Sequence, residues 1–207
     1  MSDEALVHIV DDDPDVRESL EFLLQSAGLE TRAYASGTDF LAEAPALRSG
    51  CVLTDVRMPD IDGLTLQRRL TEIAAHLPVI VMTGHGDVPI AVQALKTGAL
   101  DFLEKPFNDD RLITAVRRAL AAGIAARQAA EARAEITTRL GTLTPREREV
   151  LDRLVAGQPN KTIAFDLGTS PRTVEVQRAR VMEKMGARSL PDLVRMSVAA
   201  GITNPLD

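Results

Sequence analysis

Leu6-Val7-His8-Ile9-Val10-Asp11-Asp12-Asp13 is the stretch that decides the fold: a short apolar, β-branched run breaks into three carboxylates. A run without polar alternation reads as a strand covered on both faces, as in a parallel sheet. Asp13-Pro14 then opens a helix, with Val16, Leu20, Leu23, Leu24 and Ala27 on one stripe and Gly28 as its stop. The same form recurs downstream. Cys51-Val52-Leu53-Thr54 and Val79-Ile80-Val81-Met82 are strong strand runs, while Glu30–Tyr34 and Ala99–Leu103 are weaker ones. Between and after them lie helical patterns: Phe40 with Leu41; Leu64, Leu66 and Leu70; Ile90, Val92 and Leu95; Ile113, Val116, Arg117 and Leu120. Five strands, each followed by a helix, predict an α/β domain over residues 1–122 with a doubly wound, five-stranded parallel sheet.

Residues 123–139 are rich in alanine, arginine and glutamate, strong helix formers, with Gly123 at their start. They read either as a helical linker or as a continued fifth helix that frays. From 140 to 205 only helical patterns remain. Thr144-Pro145-Arg146-Glu147 carries an N-cap, a proline at the first helical position and an acid in the first turn. Ser170-Pro171 and Ser189-Leu190-Pro191 open further helices, and Asn160–Leu167 forms a short one between glycines. Four short helices predict a second, smaller all-α domain.

Composition narrows the function classes. The chain has 207 residues and a net charge of −6, but residues 1–122 carry −9 and residues 123–207 carry +3. An acidic half and a basic half suggest two domains facing different partners, with duplex DNA a candidate for the basic one. Aromatic content of 3% argues against a stacking platform for single-stranded nucleic acid. A single cysteine, Cys51, excludes an internal disulfide and a cysteine metal cluster, which points to a reducing cytoplasm. No run approaches the ~18 apolar residues of a membrane span, so no membrane partner is expected. The N-terminus lacks the basic start and apolar stretch of a secretory signal.

In an open α/β sheet, ligands bind beyond the carboxyl ends of the strands. The residues that leave those ends are Asp11, Asp12 and Asp13, then Asp55, then Thr83-Gly84, then Lys105-Pro106. Each has an ordinary explanation alone: Asp13 as an N-cap, Thr83 as a turn residue, Lys105 as a solvated charge. Together they place carboxylates, a hydroxyl and an ammonium on one rim. Crowded carboxylates require a neutralising cation, and an oxygen-only donor set suits Mg²⁺ beside a phosphoryl group.

His8–Asp13, Leu53-Thr54-Asp55-Val56-Arg57-Met58-Pro59, Val81-Met82-Thr83-Gly84 and Glu104-Lys105-Pro106-Phe107 together resemble the receiver domain of two-component response regulators. The resemblance implies that Asp55 is the phosphoacceptor. It implies that Asp12, Asp55 and the Arg57 carbonyl hold Mg²⁺, with Asp11 acting through a water. Lys105 is expected to pair with the phosphoryl group, and Thr83 with Phe102 to form the switch. A cis bond before Pro106 is implied as well.

Leu143–Leu151, Asn160-Lys161-Thr162-Ile163-Ala164 and Ser170-Pro171-Arg172-Thr173-Val174-Glu175 resemble the LuxR-type helix-turn-helix. In such motifs the second helix enters the major groove. With Val174, Val181 and Met185 facing inward, Glu175, Val176 and Ala179 face the bases. Lys161, Arg172, Arg178 and Arg180 are placed for phosphates, and Thr173 joins the DNA-contacting set. Gln177 departs from that family's common histidine. Both halves together, including Gly84–Pro89 and Ser189–Met196, resemble the FixJ-type response regulators. That resemblance implies phosphorylation by a sensor histidine kinase, dimerisation on phosphorylation, binding to promoter DNA, and work with RNA polymerase. Activation of nitrogen-fixation genes is the expected output, with another regulon as the alternative.

Two rivals remain at this level. Asp11-x-Asp13, Thr83, Lys105 and Asp109-Asp110 superficially resemble a haloacid-dehalogenase phosphatase with Asp11 as nucleophile. That leaves Asp55 unassigned and has Asp109-Asp110 opening a helix. An interaction adaptor, with the basic bundle binding protein, is the other.

Overall fold

The computed structural model describes residues 6–74, 76–84 and 88–202. His85, Gly86 and Asp87, part of the motif quoted above, lie outside them, as do Met1–Ala5 and residues 203–205 of the expected second domain. Two compact units divide between Gln128 and Ala129.

The first unit alternates strands β1 (Val7–Val10), β2 (Thr31–Tyr34), β3 (Cys51–Asp55), β4 (Val79–Thr83) and β5 (Asp101–Glu104) with helices. Those helices are α1 (Pro14–Ser26), α2 (Gly37–Glu43), α3 (Gly63–Ile73), α4 (Val88–Lys96) and α5 (Asp109–Gly141). All neighbouring strands pair in parallel, in the order β2-β1-β3-β4-β5. This is the five-stranded doubly wound sheet expected from the strand runs. Alternation along each buried strand feeds two cores. Val10, Val52, Val79 and Val81 pack with Phe40, Leu66 and Leu70 on one side. Val7, Ile9, Cys51, Leu53 and Ile80 pack with Leu20, Leu24, Leu112 and Val116 on the other. The thiol of Cys51 is fully buried there, and burial pushes its pKa up to about 12.

Asp13 caps α1 by accepting from the Asp15 amide, with Pro14 in the first turn. In α4 the buried face is Ala91 and Ala94, whereas Val92 and Leu95 are each 45% exposed. The apolar pattern therefore marks the helix without marking its core side. Gly123 does not interrupt α5. It is buried against the base of the sheet, where a Cβ would stand 2.7 Å from the Gly50 carbonyl oxygen, so the close approach requires glycine. Among the described residues, no helix is long and apolar enough to cross a membrane.

The second unit comprises the end of α5 followed by α6 (Pro145–Val155), α7 (Asn160–Asp166), α8 (Pro171–Met185) and α9 (Leu190–Ala199). Thr144 and Glu147 form a reciprocal capping box on α6. Val150, Leu151, Leu154, Ile163, Val174, Val181, Met185 and Leu193 make its core, joined by Ile136 and Leu140 from α5.

Candidate functional site

Parallel strands put their carboxyl ends on one edge, and the chain leaves β1, β3 and β5 there through Asp11, Asp55 and Lys105. The Lys105 Nζ donates to Asp55 Oδ1 at 2.6 Å and to Asp11 Oδ2 at 3.0 Å. One ammonium thus bridges carboxylates from two strands, which neutralises part of their repulsion. Asp11 is almost fully buried, and burial raises its pKa against the lowering effect of the Asp13 amide, which donates to Oδ1 at 3.0 Å, and of Lys105. The Asp55 side chain is more open, 14% exposed, and its Oδ2 accepts from the Arg57 amide at 2.6 Å. Lys105, despite desolvation, has a raised pKa because the two carboxylates favour its charged form.

Four features involving the backbone surround this rim. The Lys105 amide donates to the Thr83 carbonyl at 2.7 Å, and the Lys105–Pro106 bond is cis. Arg17 reaches back from α1 to the Asp11 carbonyl at 2.7 Å. Gly63 starts α3 directly under the Asp55 carbonyl, where any Cβ would collide with that oxygen. Neither Arg17 nor Gly63 was distinguishable in the sequence, since an arginine on a helix and a glycine after an N-cap have commonplace roles.

The remaining rim residues are less concentrated. Asp12 is exposed and, with Arg57, lines a 740 Å³ cavity that also touches Met58, Leu64, Arg68 and Ile90. Thr83 is buried, and Phe102 is half-buried on β5, in register with Val81 on β4. Among the described residues, no three carboxylate, imidazole or thiol groups converge to enclose a metal ion. The donors present still fit Mg²⁺, which uses one or two carboxylates and keeps several waters. Asp12, Asp55 and the Arg57 carbonyl supply oxygen alone.

In the second unit, α7 and α8 form two helices joined by a turn at Gly168. Ser170 caps α8, with its Oγ accepting from the Thr173 amide at 3.1 Å and 2.9 Å from the Thr173 hydroxyl. Val174, Val181 and Met185 are buried, which turns Arg172, Glu175, Val176, Ala179 and Arg180 outward. The cations sort into two classes. Arg146, Arg148, Arg153 and Lys184 are held by Glu149, Asp152, Asp166 and Glu147. The side chains of Lys161, Arg172, Arg178 and Arg180 make no hydrogen bond or ion pair among the described residues. The unpaired class is the one expected at phosphates. Phe165, 87% exposed and one turn after Lys161 on α7, escaped the sequence reading because an apolar residue in a short helix looks like core.

The family described as "Response regulator receiver domain" matches residues 7–117, and "Bacterial regulatory proteins, luxR family" matches residues 141–197. The transcriptional regulatory protein FixJ of Azorhizobium caulinodans is 54% identical over 98% of this chain and 96% of its own. The chain belongs to the FixJ-type response regulators. The family is one of transcriptional response regulators, not enzymes in the usual sense, which weighs against the phosphatase and adaptor rivals. This response regulator is also similar to the C4-dicarboxylate transport transcriptional regulatory protein DctR of Rhodobacter capsulatus, 48% identical over 92% of this chain and 98% of that one. The solved response regulator StyR is 39% identical, with a TM-score of 0.79 over 94% of this chain and 98% of that one.

Proposed function

We propose that Asp55 accepts a phosphoryl group from a sensor histidine kinase and that the phosphorylated chain dimerises and binds promoter DNA. The observation that carries this is the Lys105 ammonium shared between Asp11 and the more accessible Asp55. An Asp55 carboxylate oxygen attacks phosphorus, the P–N bond to the kinase histidine breaks, and the imidazole leaves with the electron pair. Lys105 neutralises charge on the phosphoryl oxygens, so the protein's contribution is positioning and electrostatics. Asp12, Asp55 and the Arg57 carbonyl would hold Mg²⁺, with Asp11 acting through a water. When bound, the ion supplies further neutralisation of the equatorial oxygens.

The acyl phosphate adds negative charge and acceptor oxygens beside Thr83, whose hydroxyl is the switch donor. Movement of Thr83 frees space for Phe102 and remodels the face of α4 and β5, where Val92 and Leu95 already lie exposed. We assign that face to the phosphorylated dimer, and residues 123–139 to a helical connector between a receiver at 1–122 and a DNA-binding domain at 140–205. Two linked DNA-binding units gain effective concentration on neighbouring half-sites. Arg172, Arg178, Arg180 and Lys161 hold phosphates, Thr173 supports that contact, and Glu175, Val176 and Ala179 read bases. RNA polymerase is the partner at the promoter, and the setting is the cytoplasm.

The relatives named FixJ support activation of nitrogen-fixation genes. The similarity to DctR favours a second reading, a regulon for dicarboxylate transport. Selection of bound duplexes from random DNA, with and without acetyl phosphate and Mg²⁺, tests the whole proposal and separates the two regulons. Equal selection in both conditions overturns the phosphorylation control. Acetyl phosphate labelling that persists in Asp55→Asn but disappears in Asp11→Asn removes Asp55 as the acceptor.

A further inference from the structure

The last carbonyl of α8 is held from outside that helix. α8 ends in a Schellman turn: Gly186, left-handed at φ 67°, donates to Glu183, and the Ala187 amide donates to Met182. The Met185 carbonyl is left without an intrahelical donor. Arg139 Nη1, from the last turn of α5, donates to it at 2.7 Å. The guanidinium's Nη2 lies 2.5 Å from Glu135 Oε1, one turn earlier on the same helix. Both arms of the fork are therefore engaged, one on α8 and one on its own helix.

The fit is tight at Gly186, where any Cβ would collide with Arg139 Nη1. A reciprocal bond runs the other way, since Lys184 Nζ donates to the Thr142 carbonyl at 3.1 Å and to Glu147 Oε2 at 2.6 Å. Two cations thus cross between the final turn of α8 and residues 135–147, and a cation at a helix C-terminus also complements its dipole. Met185 is at the opposite end of α8 from Arg172 and the Ser170 cap.

We infer that Arg139, oriented by Glu135, is a positioning residue for DNA recognition. It fixes the C-terminal end of α8 and with it the angle at which Glu175, Val176 and Ala179 meet base edges. The inference rests on α8 being the recognition helix. Arg139 touches no phosphate in this role; it acts through Met185.

The test uses the full chain, phosphorylated with acetyl phosphate, on a duplex selected by the wild type and on a random-sequence duplex. Fluorescence anisotropy over a salt series gives both affinities, and circular-dichroism melts confirm folding at the assay temperature. Arg139→Met should lower the ratio of selected to random affinity about ten-fold, the size of one charge-assisted hydrogen bond. The salt slope should stay unchanged, because no phosphate contact is lost. Arg139→Lys should recover part of the ratio. Glu135→Gln, at an exposed position that leaves the fold intact, should lower it two- to three-fold, roughly the effect of loosening one surface pair.

An unchanged ratio in folded Arg139→Met overturns the inference, and so does a salt slope reduced by about one, which would put the guanidinium on a phosphate. Should Arg139→Met not fold, an unchanged ratio in Glu135→Gln overturns it instead. A wild type that prefers no duplex overturns the DNA-binding reading itself, a separate result.

Discussion

Lys105 Nζ stands 2.6 Å from Asp55 Oδ1, on the more accessible of its two carboxylate partners, while its second bond anchors it to buried Asp11. The lysine is thus both a counter-charge for the resting carboxylates and a group poised beside the acceptor oxygen. Those two roles separate by experiment.

Lys105→Ala should move binding and rate in opposite directions. Removing the ammonium leaves the two carboxylates more negative, so Mg²⁺ affinity, read by isothermal titration, should rise. Phosphoryl uptake from acetyl phosphate should fall by roughly a hundredfold, the usual loss for one transition-state electrostatic partner. Weaker Mg²⁺ binding in the variant would show that Lys105 does not compete for the same carboxylates.

His8 should make the receiver acid-sensitive. It is fully buried on β1 between Tyr34 and Phe40, its Nε2 has no hydrogen-bond partner of good geometry among the described residues, and burial lowers its pKa to about 4 against the raising effect of the Ser49 backbone. A folded pKa below the unfolded 6.5 means the unfolded chain binds the extra proton, so stability falls as pH drops from 6.5 toward 4. The full loss is on the order of 3 kcal/mol. Urea unfolding followed by Tyr34 fluorescence should show this slope in the wild type and a flatter one in His8→Leu. Identical slopes would mean that other groups dominate.

Lys161, Arg172, Arg178 and Arg180 should contribute ion release rather than sequence choice. Arg178→Ala or Arg180→Ala is expected to weaken binding to every duplex alike and to reduce the salt slope by about one. Val176→Ala should instead change which duplex is selected. Full salt slopes in both arginine variants would remove these side chains from the phosphate set.

Ser197 offers a gain in stability. Its hydroxyl is buried in the second unit without a partner among the described residues. Ser197→Ala deletes an unsatisfied polar group and should stabilise by about 1 kcal/mol. For a unit this small, the thermal midpoint should rise by ~4–8 °C. A lower midpoint would reveal a bond to the hydroxyl in solution.

How far the sequence was legible depended on the physics behind each feature. β1, β3 and β4 were readable because burial on both faces demands unbroken apolar runs, and Asp11, Asp55 and Lys105 because parallel topology sends every strand end to one rim. Val174, Val181 and Met185 followed from helical periodicity. Periodicity reports burial, not partners, so it could not tell that Lys184 would be taken by Glu147 while Arg180 stayed unpaired. Nor could it place Arg139, because Ile136 and Leu140 orient that end of α5 without telling which helix terminus the guanidinium meets. The outward turn of Val92 and Leu95 was hidden for a related reason: small Ala91 and Ala94 carry the packed face.

The buried thiol of Cys51 has a practical consequence. Maleimides and similar reagents attack the thiolate, and this group is shielded from solvent and titrates only near pH 12. A cysteine introduced on the exposed face of α8, at Ala179 for instance, would then be the sole thiol in the chain open to a fluorophore or spin label. Changes around the recognition helix on phosphorylation could be followed spectroscopically without first replacing a native residue.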